Sequence, residues 1–491
     1  MRFRRGLIGI SPLMLAFGSL WLGHAYAVAG FHQPDAKASD TAFLVKPYLQ
    51  LGDVSPANVA TDLVLLWHAD DGETPWAVEY QPRTNETWHM AMPPASHRIV
   101  VPGVAPHRLF RANLTNLIPG SEFGYRVRKG NEIVFAAQAR APKGASQPYR
   151  FVSFGDCGAG TAAQKMVAHQ TYLARPDFLM ITGDIVYSRG RISEYREKFW
   201  PAYNADNSSP LVGAPLLRST LFVAAPGNHD IATKDLEKYP DGLAYFLYWD
   251  QPRNGPKSAG ARPLVPPLTG PAGNTAAFME AAGEAYPRMA NFSFNYGNSH
   301  WTIIDSNPYV DWTDPKLRAW VERDLAAAQN QTWRFVAFHH PGFNSSKAHF
   351  DDQQMRLLAD VLERGRVDVV FNGHVHNYQR SFPIRFTSET GTDGKPVRDK
   401  NKVPGRWVLD RVFDGRNNTR PQGVIYLVTG AGGNTLYNPE QQEDRSSWQS
   451  FTQKFISKVH SLTVADVNGT TLSVRQVAGD GAEVDRFTIT K

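Results

Sequence analysis

The chain has 491 residues, 52 Lys and Arg against 46 Asp and Glu, a formal charge of +6, and 42% hydrophobic residues. That length exceeds one typical core, so two domains are expected, and the composition speaks against a disordered or low-complexity protein. The positive charge is spread out, with no Lys/Arg cluster interleaved with aromatics, which argues against nucleic acid as the main partner.

Arg2, Arg4 and Arg5 precede an apolar run that ends in Ala25-Tyr26-Ala27. This is the pattern of a secretory signal peptide over residues 1–27, cleaved after Ala27. Its removal takes three arginines and brings the formal charge from +6 to +3. Arg4-Arg5 loosely matches a twin-arginine signal, so either export route fits. No second long apolar segment follows, so the mature chain is expected to be soluble, free of the membrane, and secreted or periplasmic. With Cys157 as the single cysteine, no intramolecular disulfide can form.

From Phe43 to about Pro142 the pattern is all-β. "DLVLLWHA", "WAVEY", "HRIVV" and "EFGYRVRKG" are short β-rich runs separated by Gly, Pro and Asn. Phe123, Tyr125 and Val127 alternate after a Pro119-Gly120 turn, which suits a half-buried strand. The segment, bounded at 41–142, resembles a fibronectin type III β-sandwich, and "APKGASQP" after it reads as a linker.

Over residues 149–491 the rhythm changes to strand, loop, helix. "YRFVSFGD", "DFLMITGD", "TLFVAAPGNHD", "HWTIIDSN", "RFVAFHH", "VDVVFNGHVH" and "GVIYLVTGAGG" are apolar runs, most of them ending in polar or glycine-rich loops. Helical periodicity joins Leu317, Trp320, Val321 and Leu325, and again Met355, Leu358, Val361 and Leu362. The expectation is an α/β layered domain with both sheet faces covered and ligands bound at the carboxyl ends of the strands. "HSLTVADVNGTTLSVRQV" and "EVDRFTITK" read as closing strands, with a hairpin turn at Asn468-Gly469. The Pro- and Gly-rich stretch 231–288 reads as a long loop placed to line a substrate entrance.

Polar residues follow five of the apolar runs: Asp156, Asp184 with Tyr187, Asn228 with His229, His339, and His374 with His376. One such residue is normally a turn or cap. Five in succession, on strands expected side by side, point to a shared site. Carboxylates, an amide, imidazoles and a phenol exceed the needs of one ion and suit a pair bridged by a carboxylate.

"GDCG", "GDIVY", "GNHD", "VAFH" and "GHVH" resemble, in order, the five motifs of the calcineurin-like metallophosphoesterases, and the tyrosine of the second resembles that of the purple acid phosphatases. The resemblance implies a layered β-sandwich flanked by helices, preceded by the sandwich domain of the larger members. It implies Fe(III) held by Asp156, Asp184, Tyr187 and His376, and a divalent Fe, Zn or Mn ion held by Asn228, His339 and His374, with Asp184 as bridge. His374 and His376 would point to opposite sides of an extended chain and so serve different ions. His229 would orient the phosphate or protonate the leaving oxygen, with His349 as second candidate.

The implied function is that of a secreted acid phosphatase acting on small phosphate monoesters through a metal-bound hydroxide, which ferric iron would maintain at acidic pH. A phosphodiesterase or nucleotide-cleaving enzyme on the same site is the alternative. An exported binding or adhesion protein with an inactive phosphatase-like domain is the alternative of another class. Ala348 stands where many larger members carry a histidine, immediately before His349. His340 could compete with His339, but its spacing from Val336 favours His339. Cys157 reads as a buried thiol, and His169 and His300 as structural residues.

Overall fold

The computed structural model describes residues 42–54, 59–83, 86–231, 235–256 and 264–491. The expected signal peptide lies outside the described residues. Eight strands between Val45 and Arg140 form two four-stranded antiparallel sheets. One orders Val45–Gln50, Leu63–Asp70, His107–Leu114 and Ala95–Ile99, and the other His89–Met90, Trp76–Tyr80, Glu122–Lys129 and Glu132–Arg140. The strand Leu63–Asp70 is buried on both faces, beyond what a free-standing sandwich needs. Leu65 and Trp67 face the opposite sheet, whereas Val64 and Leu66 join a cluster with Tyr195, Trp200 and Tyr248 of the following layer. Alternation along the strand thus sends every second side chain to a different partner.

After residue 148 two larger sheets stack. The first, of six strands, runs Leu221–Ala224, Phe178–Ile181, Tyr149–Phe154, Ser461–Asn468, Thr471–Ala478 and Glu483–Thr490. The three earliest of these are mutually parallel, and the closing strands add in antiparallel order around the Asn468-Gly469 hairpin, as expected. The second, of seven strands, has Ser299–Ile303, Trp333–Ala337, Val369–Asn372 and Ile425–Thr429 in parallel at its centre. Phe151, Phe178, Trp301, Phe335 and Phe371 meet between the sheets. Their strand neighbours Val152, Leu179, Val336 and Val370 turn outward under helices.

Helix Pro315–Ala327 buries Leu317, Val321 and Leu325 and is capped by Asp314, whose side chain accepts from Lys316 and Leu317. The second expected helix divides into a 3-10 turn, Gln354–Leu358, and helix Ala359–Arg364. The stretch 231–288 is not one long loop. Its described part contains helix Ala272–Ala282 and a wholly buried turn of helix, Tyr245–Tyr248. Tyr248 receives Tyr48 Oη–H on its carbonyl at 2.8 Å and faces His107 at 3.1 Å, so this segment seats the amino-terminal sheets.

The five motif-bearing strands do not all lie side by side. Three neighbour one another in the first sheet and two in the second. The site therefore forms where the carboxyl edges of two stacked sheets meet. Gly155 N–H donates to the Thr429 carbonyl at 2.9 Å, tying one edge to the other.

Candidate metal centre

Asp156 and Asp184 follow parallel neighbouring strands and both hold left-handed backbone, φ 58° and 51°. His374 does so too, at φ 67°. Such angles are uncommon outside glycine and concentrate where the fold over-determines a functional position. The loops are locked by backbone bonds from Asp156 N–H to Gly183 O (3.0 Å), Cys157 N–H to Asp184 O (3.1 Å) and Gly373 N–H to His339 O (3.0 Å). Asp230 accepts from the backbone N–H groups of Ile185 and Gly227, binding the second motif loop to the third. At Gly373 an added Cβ would lie 2.7 Å from Thr182 O and 2.8 Å from Asp156 Oδ2, and at Gly227 it would overlap the Asp184 carboxylate. Motif glycines are needed here for close approach.

The donors gather in two groups. Tyr187 Oη lies 3.0 Å from Asp156 Oδ1 and 3.0 Å from His376 Nε2. His339 Nε2 and His374 Nδ1 each lie 3.1 Å from Asn228 Oδ1, and His339 Nε2 is 3.2 Å from Asp184 Oδ1. Facing oxygens and nitrogen of Asp156, Asp184 and His339 lie within 4.8 Å of one another, so the groups adjoin. All but Asn228, which is half-buried, are buried.

The outer nitrogen of each ring is tied to an acceptor. His339 Nδ1–H donates to Thr182 O at 2.8 Å, His376 Nδ1–H to Thr435 O at 2.6 Å, and His374 Nε2–H to Asp352 Oδ2 at 3.2 Å. A neutral ring so anchored turns a lone pair inward. Lone pairs then face the oxygens of Asn228 and Asp184 at hydrogen-bond distance, and Asp156 Oδ2 is buried with no hydrogen-bond partner among the described residues. Acceptors arranged in this way favour a cation between them. Burial would lower the pKa of His339, but the Asp184 carboxylate outweighs it and raises it to about 9, so a positive charge, proton or metal ion, is favoured between the two. Burial lowers His374 to about 4 and so keeps it neutral and ligating in character. The residues fit a metal pair.

His229 and His349 stand at the margin. His229 Nδ1–H donates to Ser188 O at 2.8 Å, leaving Nε2 free, 3.9 Å from Asp184 Oδ2. His349 Nδ1 lies 3.2 Å from Asp352 Oδ2. The hydrogen bonds of His349 and then His374 hold the Asp352 carboxyl well below the usual carboxylate range. His340 packs against His374 at 4.3 Å between ring centroids, but its Nδ1 is tied to Ser306 Oγ at 2.9 Å, which distinguishes it from His339. Cys157 directs its thiol at the Ile185 carbonyl, 3.7 Å away. His169 pairs with Ser208, and His300 with Asn295 and Asp324, both in structural roles. The separation of His374 from His376 comes from a bend, not from an extended strand.

Sequence reasoning missed four residues around these side chains. Tyr437 stacks on His376 at 4.0 Å, Asp352 faces two histidines, and the carbonyls of Thr182 and Thr435 fix ring orientation. Backbone carbonyls carry no residue-type signal, and Tyr437 is distant in sequence. A histidine followed three residues later by an acid was the legible clue to Asp352.

Two stacked sheets with polar loops at their joined carboxyl edges form the metallophosphoesterase fold. Residues 149–378 match the family described as calcineurin-like phosphoesterase. The chain carries a calcineurin-like metallophosphoesterase domain and has purple acid phosphatases among its homologues. Purple acid phosphatase 22 of Arabidopsis thaliana is 24% identical over 294 residues, covering 58% of this chain and 51% of that protein. An uncharacterized protein of Mycobacterium tuberculosis is 25% identical over 417 residues, covering 79% of this chain and 69% of that protein. A purple acid phosphatase from yellow lupin (Lupinus luteus) seeds shares the fold with a TM-score of 0.62 at 16% identity, covering 90% of this chain and 74% of that one. The fold implies a binuclear metal site, and no helix among the described residues is long and apolar enough to cross a membrane.

Proposed function

We propose that the protein is an exported acid phosphatase that hydrolyses small phosphate monoesters at a pair of metal ions. Asp156, Tyr187 and His376 would hold one ion, Asn228, His339 and His374 the other, with Asp184 between them. The observation that carries this reading is the inward turn of three anchored imidazoles onto carboxylate, amide and phenol oxygens. The oxygen-rich group around Tyr187 suits Fe(III), and the imidazole-rich group suits divalent Fe, Zn or Mn. When bound, the ions supply positive charge to phosphate oxygens and acidify water for in-line attack on phosphorus.

The chain's own residues do the rest. His229, held by Ser188, presents Nε2 to the site and, when the ring carries both protons, can steady a phosphate oxygen or give a proton to the leaving alcohol. His349, held by Asp352, offers a second such nitrogen. Export rests on the 1–27 signal pattern, and the two-sheet sandwich supports a fibronectin type III-like domain over 41–142.

Phosphate release from 4-nitrophenyl phosphate, measured beside cleavage of bis(4-nitrophenyl) phosphate, tests the reaction. The monoester is expected to react at least about tenfold faster, with both activities lost in Asp184→Asn because a neutral amide bridges two cations poorly. A faster diester would assign a phosphodiesterase, and no turnover in metal-loaded protein would favour a binding protein.

A further inference from the structure

Asp352 belongs to neither donor group, yet one of its oxygens serves two histidines. Oδ2 lies 3.2 Å from His349 Nδ1 and 3.2 Å from His374 Nε2, while Oδ1 accepts from Asn401 Nδ2 at 3.0 Å. The two imidazole rings lie 4.0 Å apart between centroids. A carboxylate only accepts, so both rings present N–H to it. On His374 this leaves Nδ1 as the lone pair, 3.1 Å from Asn228 Oδ1. On His349 it leaves Nε2 free. That ring has left-handed backbone, φ 57°, and borders an open recess of about 500 Å³ that Ser345, Lys347 and Phe350 also line. Carboxylate and backbone together therefore fix where His349 points.

We propose that Asp352 is a positioning residue shared by the two histidines, setting the tautomer in which His374 ligates and holding His349 so that its Nε2–H, present when the ring carries both protons, can serve the leaving oxygen. The proposal rests on the phosphatase reading above. A shared oxygen couples the two roles: its loss frees His374 to rotate or change tautomer and lets His349 swing into the recess. Outer carboxylates on ligating histidines act on metal affinity by about 10- to 100-fold. Proton donation matters most where the leaving alcohol is a poor one.

The test compares wild type, Asp352→Asn, Asp352→Glu and Asn401→Ala. Affinity for Zn(II) is measured by competition with a colorimetric chelator, without substrate. Then kcat and KM are measured at saturating metal on 4-nitrophenyl phosphate and on an alkyl phosphate. For Asp352→Asn we expect metal affinity to fall by about 10- to 100-fold. Its kcat should fall at least about tenfold more on the alkyl than on the aryl ester, with KM little changed. Asp352→Glu should restore part of both effects. Asn401→Ala, which leaves the carboxylate in place, should shift both in the same direction by less, and it serves if Asp352→Asn fails to fold. Unaltered metal affinity, or an equal loss on both esters, would overturn the proposal. A wild-type protein that released no phosphate would strike the phosphatase reading instead, and the affinity comparison alone would then decide whether Asp352 positions His374.

Discussion

His229 is the residue at which ligation and proton transfer separate most cleanly. Its backbone N–H donates to Asp184 Oδ1 at 2.9 Å and its ring is held by Ser188, so removing the imidazole leaves the Asp184 carboxylate and its hydrogen bond in place. His229→Ala is expected to keep its metal content while kcat falls by about 10²- to 10⁴-fold, as lost acid/base assistance does. Elemental analysis beside steady-state rates checks this, and metal loss would make His229 a ligand. At this scale residue types were the legible part. Asp, Asn, His and Tyr after five apolar runs marked side chains that the fold brings together. Which nitrogen of each ring turns inward was hidden, because Thr182 and Thr435 act through carbonyls that any residue carries.

Among elements, the interface between Leu63–Asp70, His107–Leu114 and the buried turn Tyr245–Tyr248 carries a distinct pH response. His68 is fully buried against Tyr48 and Tyr248, and His107 against Tyr248. Burial, then His107, lowers His68 well below its usual value, while burial and then Arg196 lower His107 to about 4. The folded state keeps these rings neutral, whereas the unfolded chain takes up protons from about pH 6.5. Their contribution to stability is therefore complete above about pH 6.5 and is lost as pH falls toward 4. Melting temperatures between pH 7 and pH 4 should decline less steeply in His107→Gln than in wild type. Equal slopes would remove His107 from the account. The strands here were legible by run and alternation, "WAVEY" falling at Trp76–Tyr80. The helix Ala272–Ala282 was not, since "AGNTAAFMEAA" offers small residues in place of a clear apolar stripe and sits among prolines and glycines.

For the whole molecule, the amino-terminal sheets and the metallophosphoesterase layers share packing. Leu49 N–H donates to Leu217 O at 3.0 Å, Tyr125 Oη–H to Arg218 O at 2.8 Å, and Arg111 pairs with Asp250 at 2.5 Å. Val64 and Leu66 lie in one apolar cluster with Trp200 and Tyr248. A fragment of residues 149–491 would expose that apolar face and is expected to aggregate, while the full chain unfolds in a single thermal transition. Two separated transitions, or a soluble folded fragment, would show independent domains. Sequence rhythm changes near residue 148 but does not reveal this continuity. The pattern of one strand states that both faces are buried, not what covers them.

In the proposed function Asp156, Asp184, Tyr187, Asn228, His339, His374 and His376 together hold two metal ions bridged by Asp184. Elemental analysis of the metal-reconstituted full chain tests it directly, with Asp184→Asn treated identically. Two ions per wild-type chain and loss of the pair in the variant are expected, because a neutral amide bridges two cations poorly. A wild-type chain that binds one ion or none, or an Asp184→Asn chain that keeps both, would contradict it.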